Sequence, residues 1–199
     1  MTIDAAAIEC ESMSGKTLKI CWVSDLVLDT DLHKTRELAI LNALAKKGHI
    51  TTLVATTSRF HFKLNDARTK AICIPIRRAP LISHVLYTAF LFFFLPLFIL
   101  FKKPDFIIMD PSISVIGSIP CLLSSRFLRT KFLLDIKSTP VEIKGFSAKI
   151  AVFWFIISVF IAKKWFHGIE AVTQLMKEEV SLRFNLDQQL IGVWTNGVQ

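Results

Sequence analysis

The sequence predicts an open α/β sheet of parallel strands with helices on both faces. Three observations carry that prediction. Short apolar runs of strand length recur along the chain. The first two flank a helix-periodic stretch that ends at a glycine. The same strand–helix alternation then repeats, and a crossover of that kind places consecutive strands parallel in one sheet. At 199 residues the chain fits one ordinary domain with a sizeable core.

The first strand is expected over residues 18–23, followed by a polar loop over 24–33. A helix follows over about residues 34–47, with Leu38, Leu41 and Leu44 on one face. Asp31 is placed to cap its start and Gly48 to end it. Strands are then expected over 50–57, 71–76 and 106–109, a helix over 112–125, and a strand over 131–136. The last strands, 169–173 and 190–194, are separated by a helix over 175–184.

Composition sets this chain apart from an ordinary water-soluble enzyme: 52% of its residues are hydrophobic and 17 are Phe. Such a surplus must meet lipid or a partner. Two apolar runs hold much of it, 21 residues over 81–101 and 13 over 150–162. By length the first reaches the ~20 residues a bilayer crossing needs. A crossing, however, would put strands of one sheet on opposite sides of the bilayer. Both runs are therefore expected to lie in the membrane interface, apolar face down. A spanning helix for the first run and a buried core helix for the second are the alternatives. Phe92, Phe93, Phe94, Phe98, Phe153 and Trp154 are the expected membrane-contacting side chains.

The net charge is +8. Its cations are not gathered into a basic stripe interleaved with aromatics, which argues against nucleic acid. They border the apolar runs instead, Lys102 and Lys103 after the first and Lys163 and Lys164 after the second. That arrangement suits anionic lipid, so a peripheral or monotopic place on the cytoplasmic face of a membrane is expected. Cys10, Cys21, Cys73 and Cys121 are far apart and lack the spacing of a metal site, so reduced thiols and no metal are expected. Residues 1–17 read as a disordered tail without the apolar core of a secretory signal.

From residue 19 onward the chain resembles the N-terminal domain of family 4 glycosyltransferases. The carriers are Lys19-Ile20-Cys21-Trp22-Val23-Ser24, the helix from Arg36-Glu37-Leu38-Ala39 to Gly48-His49, and Lys103-Pro104-Asp105-Phe106 at a strand entry. Asp135-Ile136-Lys137-Ser138, Ala171-Val172-Thr173-Gln174 and Trp194-Thr195-Asn196-Gly197-Val198 complete the set. Their order and spacing make the match, since no single piece is specific. Two features differ from the family pattern: residues 26–32 lack its glycines, and Lys137 stands where many relatives have His.

The resemblance implies a Rossmann-like half of a GT-B fold over residues 18–199 and a retaining transfer of sugar from a nucleotide-sugar to a lipid-linked or membrane-proximal glycan. It also implies metal independence, against the Asp29-Thr30-Asp31 triplet, which reads as a helix-capping segment. The nucleotide-sugar is expected only with a C-terminal donor-binding domain, whose Gly-rich loop, Arg-Lys pair and spaced glutamates have no counterpart here. The chain is thus expected to be inactive without a donor-domain chain as partner.

In an open parallel sheet the ligand crevice lies beyond the carboxyl ends of the strands. Asp25, His33, Asp110, Lys137 and Glu142 fall there and are the candidate acceptor-binding residues; the catalytic residues are left unassigned. Lys137 reads either as a cleft cation or as an ion-pair partner of Asp135 or Glu142. The alternative function is a non-catalytic membrane-docking module that binds lipid head groups or a protein partner.

Overall fold

Seven parallel strands form one sheet in a computed structural model that describes residues 16–27, 34–57, 69–75, 82–123, 129–139 and 145–194. The tail, the Asp29-Thr30-Asp31 triplet, the Asp31 cap, His33, Glu142 and the Asn196-Gly197-Val198 turn lie outside these residues. Strand β1 (Lys19–Val27) leads into helix α1 (Lys34–Lys46), and β2 (Ile50–Thr57) returns beside β1. Gly48 makes the turn between α1 and β2 at φ 95°, a left-handed conformation that glycine adopts without steric cost. Strand β3 (Thr69–Pro75) completes that side of the sheet.

Helix α2 (Ile82–Lys102) then crosses to the other side of β1, where β4 (Phe106–Met109) pairs with it. Two short helices, α3 (Ser114–Gly117) and α4 (Ile119–Leu123), precede β5 (Lys131–Ile136). Helix α5 (Phe146–Trp165), β6 (Gly168–Ala171), α6 (Gln174–Phe184) and β7 (Ile191–Val193) extend the sheet outward. The order is β3-β2-β1-β4-β5-β6-β7. Succession therefore reverses between β1 and β4, which is the switch point where such sheets open a ligand crevice.

Alternation along the strands divides the core in two. Cys21, Val23, Ile107, Met109, Phe132, Leu134 and Ile136 share one cluster with α2 and α5, through Tyr87, Leu91, Leu95, Phe155 and Val159. Ile20, Trp22, Leu53 and Ile108 share the other with Leu41 of α1. Side chains of this size stabilise the fold by about 1.5–3 kcal/mol each when fully buried.

Several expectations are corrected. Strand β1 runs on to Val27, so Ser24 and Asp25 belong to the strand and not to the following loop. Its register against β2 shifts between Val23 and Val27, an irregularity that can re-aim side chains at a strand end. The single helix expected over 112–125 is two short ones. Gly117 explains the close approach there: a Cβ on it would lie 2.7 Å from Leu91 Cβ and 2.9 Å from the Thr88 carbonyl.

Among the described residues one helix, over His84–Lys102, is long and apolar enough to cross a membrane. Phe98, expected to contact lipid, is buried against the sheet, because it lies on the same face of α2 as Leu91 and Leu95. Phe92, Phe93 and Phe101 point outward. On α5, Phe153 is exposed and Trp154 half-buried, whereas Phe155 and Val159 pack into the core. Lys163 is committed to structure: its Nζ donates to the carbonyls of Phe184 (3.0 Å) and Asn185 (2.8 Å), at the negative end of α6.

Candidate functional site

The carboxyl ends of β1, β4 and β5 bring together a cluster that local sequence does not announce. Ser24 ends the inward run of β1, Asp110 follows β4, Lys137 follows β5, and Glu37 reaches in from the first turn of α1. Lys137 Nζ forms ion pairs with Glu37 Oε1 and, at 2.7 Å, with Asp110 Oδ1. Ser24 Oγ donates to Asp110 Oδ2 at 2.7 Å and lies 3.2 Å from Glu37 Oε1. Trp22 forms the apolar side of the cluster. Its Nε1 donates to Asp110 Oδ1 at 3.4 Å, and the Lys137 ammonium stands 5.4 Å from its ring centroid.

Charge balance follows from burial. Glu37 is 1% exposed; burial, with Asp110 nearby, pushes its carboxyl up to about 7 despite the opposing Lys137. Asp25 is raised by burial and by Asp110, against the lowering influence of His84 and Lys137. For Lys137 burial acts downward, but Asp110 and Glu37 outweigh it and its pKa is raised, so the ammonium persists. One permanent cation thus serves three acids. Near neutral pH Glu37 keeps a proton part of the time where an exposed carboxylate would have lost it, and its Oε2 makes no hydrogen bond among the described residues.

Tyr87 ties α2 to the same edge. Its hydroxyl donates to the Ser24 carbonyl at 2.7 Å and lies 3.3 Å from that of Val54. Burial and the surrounding acids raise its pKa well above that of a free phenol, so it acts as a neutral donor.

Of the five predicted residues, the fold brings together Asp25, Asp110 and Lys137, and the other two, His33 and Glu142, fall outside the described residues. Lys137 forms ion pairs with Glu37 and Asp110, the first a partner that the sequence reading did not name, whereas Glu142 lies outside the described residues. Asp135 sits within β5 and is fully buried; its Oδ1 accepts from Trp194 Nε1 at 3.4 Å. Because its ammonium is already committed to two carboxylates, Lys137 is a poor binder for a free phosphate. Hydroxyl groups are the ligands that a cluster rich in acceptors suits.

Sequence reasoning missed Glu37 because an acid in the first turn of a helix already has a sufficient role beside the helix dipole. It missed Tyr87 because that residue falls inside the apolar run, although it is the only Tyr in the chain. Residues able to hold a metal are not grouped: among those described, no set of three His, Cys, Asp or Glu could hold an ion.

The architecture with its crevice at the β1/β4 switch defines the class: one Rossmann-like half of a GT-B fold. Neither a family model nor a curated protein matches the sequence. Solved structures match the fold. The chain is similar to the apo form of the lipopolysaccharide outer core galactosyltransferase WaaB, at 13% identity and a TM-score of 0.58 over 92% of this chain and 46% of that one. It is also similar to a glycosyltransferase from Rickettsia africae (14%, TM-score 0.53, 92% and 44%). A UDP-GlcNAc 2-epimerase from Methanocaldococcus jannaschii matches as well (14%, TM-score 0.54, 88% and 45%). The chain spans less than half the length of each, and at these identities the likeness is one of fold.

Proposed function

We propose that this chain is the acceptor-binding side of a retaining, family 4-type glycosyltransferase that works at the cytoplasmic face of a membrane with a donor-binding half, on the same polypeptide or another. The observation that carries this reading is the buried acid–lysine cluster at the β1/β4 switch point, since the neighbouring folds include glycosyltransferases and the cluster offers hydroxyl acceptors where an acceptor sugar would enter.

Asp25 is the group best suited to hold the attacking hydroxyl. Its raised pKa moves it toward the range in which a carboxylate can take a proton as the hydroxyl reacts. Asp110, Glu37 and Lys137 hold the strand ends in register, a positioning role. The cation that stabilises the departing nucleotide phosphate belongs to the donor-binding half, because Lys137 is committed to its two acids. The exposed apolar side of α2 and the exposed Lys102 and Lys103 support docking onto anionic lipid and a lipid-linked or membrane-proximal glycan as acceptor.

The test is to purify the full chain from membranes with whatever donor-binding polypeptide accompanies it, and to follow labelled sugar from nucleotide-sugars into the lipid extract. Asp25→Asn is expected to lower kcat/KM by about a hundredfold without loosening the complex. Unchanged turnover in that variant, or transfer by the 199-residue chain alone, would overturn the reading.

A further inference from the structure

An apolar groove of about 360 Å³ lies between α2 and α3. Val85, Ala89, Phe92 and Phe93 form one wall, and Ile113 and Ile116 form the other. Thr88 also lines it, but its Oγ1 donates to the His84 carbonyl at 2.8 Å, so that hydroxyl is turned to its own helix. The groove therefore offers a ligand almost no hydrogen-bonding group. A peptide backbone laid in it would lose its water without replacement bonds, whereas a hydrocarbon chain would lose nothing. Gly117 makes the groove possible, because only a residue without Cβ lets α3 approach Leu91 and Thr88 so closely.

Position links the groove to the candidate site. Ile113 ends the short turn that begins at Asp110, so one segment serves both the cluster and the groove wall. Tyr87 sits between Val85 and Thr88 on the same turn of α2 and holds Ser24 of β1 from the opposite side. His84, next to Val85, is one of the charges acting on Asp25. Helix α2 connects the end of one parallel strand to the start of another, so it runs antiparallel to the sheet and its first turns stand at the crevice edge. From there its exposed apolar side continues through Leu97, Leu100 and Phe101 to the exposed Lys102 and Lys103.

We propose that the groove between α2 and α3 seats the hydrocarbon tail of a lipid-linked acceptor and so aligns the acceptor's head with Asp25 at the crevice. This rests on the acceptor-side reading above. A membrane partner agrees with the cations that close the apolar face, which complement anionic head groups. A second copy of a chain with net charge +8 would be repelled.

The experiment uses the full chain on vesicles of phosphatidylcholine and phosphatidylglycerol carrying either a benzophenone-tagged polyprenyl phosphate or a benzophenone-tagged phosphatidylcholine. The prenyl probe is expected to label peptides that hold Val85 to Phe93 and Ile113 to Ile116, in competition with untagged prenyl phosphate. Ala89→Trp and Ile116→Trp, which fill the groove, should cut that labelling about tenfold while vesicle binding and thermal melting stay as they were. Ala89→Phe, a smaller intrusion at the same exposed position, should give an intermediate loss and separates filling from misfolding. Equal labelling in the filled variants, equal labelling of the groove by the phospholipid probe, or cross-linked pairs of chains would each overturn the proposal. Labelling is read without sugar transfer. Intact groove labelling with no sugar transfer by the chain purified together with its donor-binding half would therefore sink the enzymatic reading alone, and transfer by that complex to a lipid acceptor that survives Ala89→Trp would sink the tail seat alone.

Discussion

Lys137 is the residue on which the crevice depends, because it is the counter-ion of two buried carboxylates at once. Its removal leaves both acids without their cation. Lys137→Met is accordingly expected to cost about 3–5 kcal/mol in denaturant unfolding, the usual penalty for breaking a buried pair from one side. Glu37 gives a prediction with a definite sign. Its carboxyl titrates near 7 in the folded chain against 4.5 in an unfolded one. Between those values the folded state binds the extra proton, so the contribution is full below 4.5 and is lost as pH rises to about 7. Glu170, raised to about 7 by burial and by Asp135, and Asp25, also raised, act in the same direction. Melting temperature should fall across that window, and Glu37→Gln should flatten the fall; a profile that rises instead would contradict the protonated carboxyl.

At the scale of elements, α2 carries two faces with different consequences. Phe98 belongs to the core with Leu91 and Leu95, so Phe98→Ala should destabilise by about 3–5 kcal/mol in chemical denaturation. Phe101 is 74% exposed, and Phe101→Ser should leave stability within about 0.5 kcal/mol while reducing vesicle flotation. Equal effects of the two substitutions on stability would deny the division of the helix. Helix α6 shows how sequence cues set ends: the Thr173 side chain accepts from Met176 N at 3.1 Å, and Asn185 closes the other end in the left-handed conformation at φ 49°.

For the whole molecule, a net charge of +8 combined with an outward apolar helix predicts two-part membrane binding. The electrostatic part should weaken with salt, since the screening length is already about 10 Å at 0.1 M. The apolar part should not. Flotation with anionic vesicles is expected to decline with ionic strength toward the level seen with neutral ones, and Lys102→Glu with Lys103→Glu should lower only the salt-sensitive portion.

The sequence by itself determined the sheet: local periodicity and strand–helix alternation gave β2, β4 and β5 at their observed bounds, and Gly48 gave the end of α1, because these depend on neighbours along the chain. It also placed Asp25, Asp110 and Lys137 at strand ends, where a parallel sheet puts chemistry. Only the tertiary structure decided what those residues meet. Glu37 is 100 positions from Lys137 and Asp110 is 86 from Ser24, and pairs that distant are joined by strand order alone. The same holds for α2, whose composition is apolar throughout. Hydropathy treats Phe98 and Phe101 alike, and the turn of the helix against the sheet buries one and exposes the other.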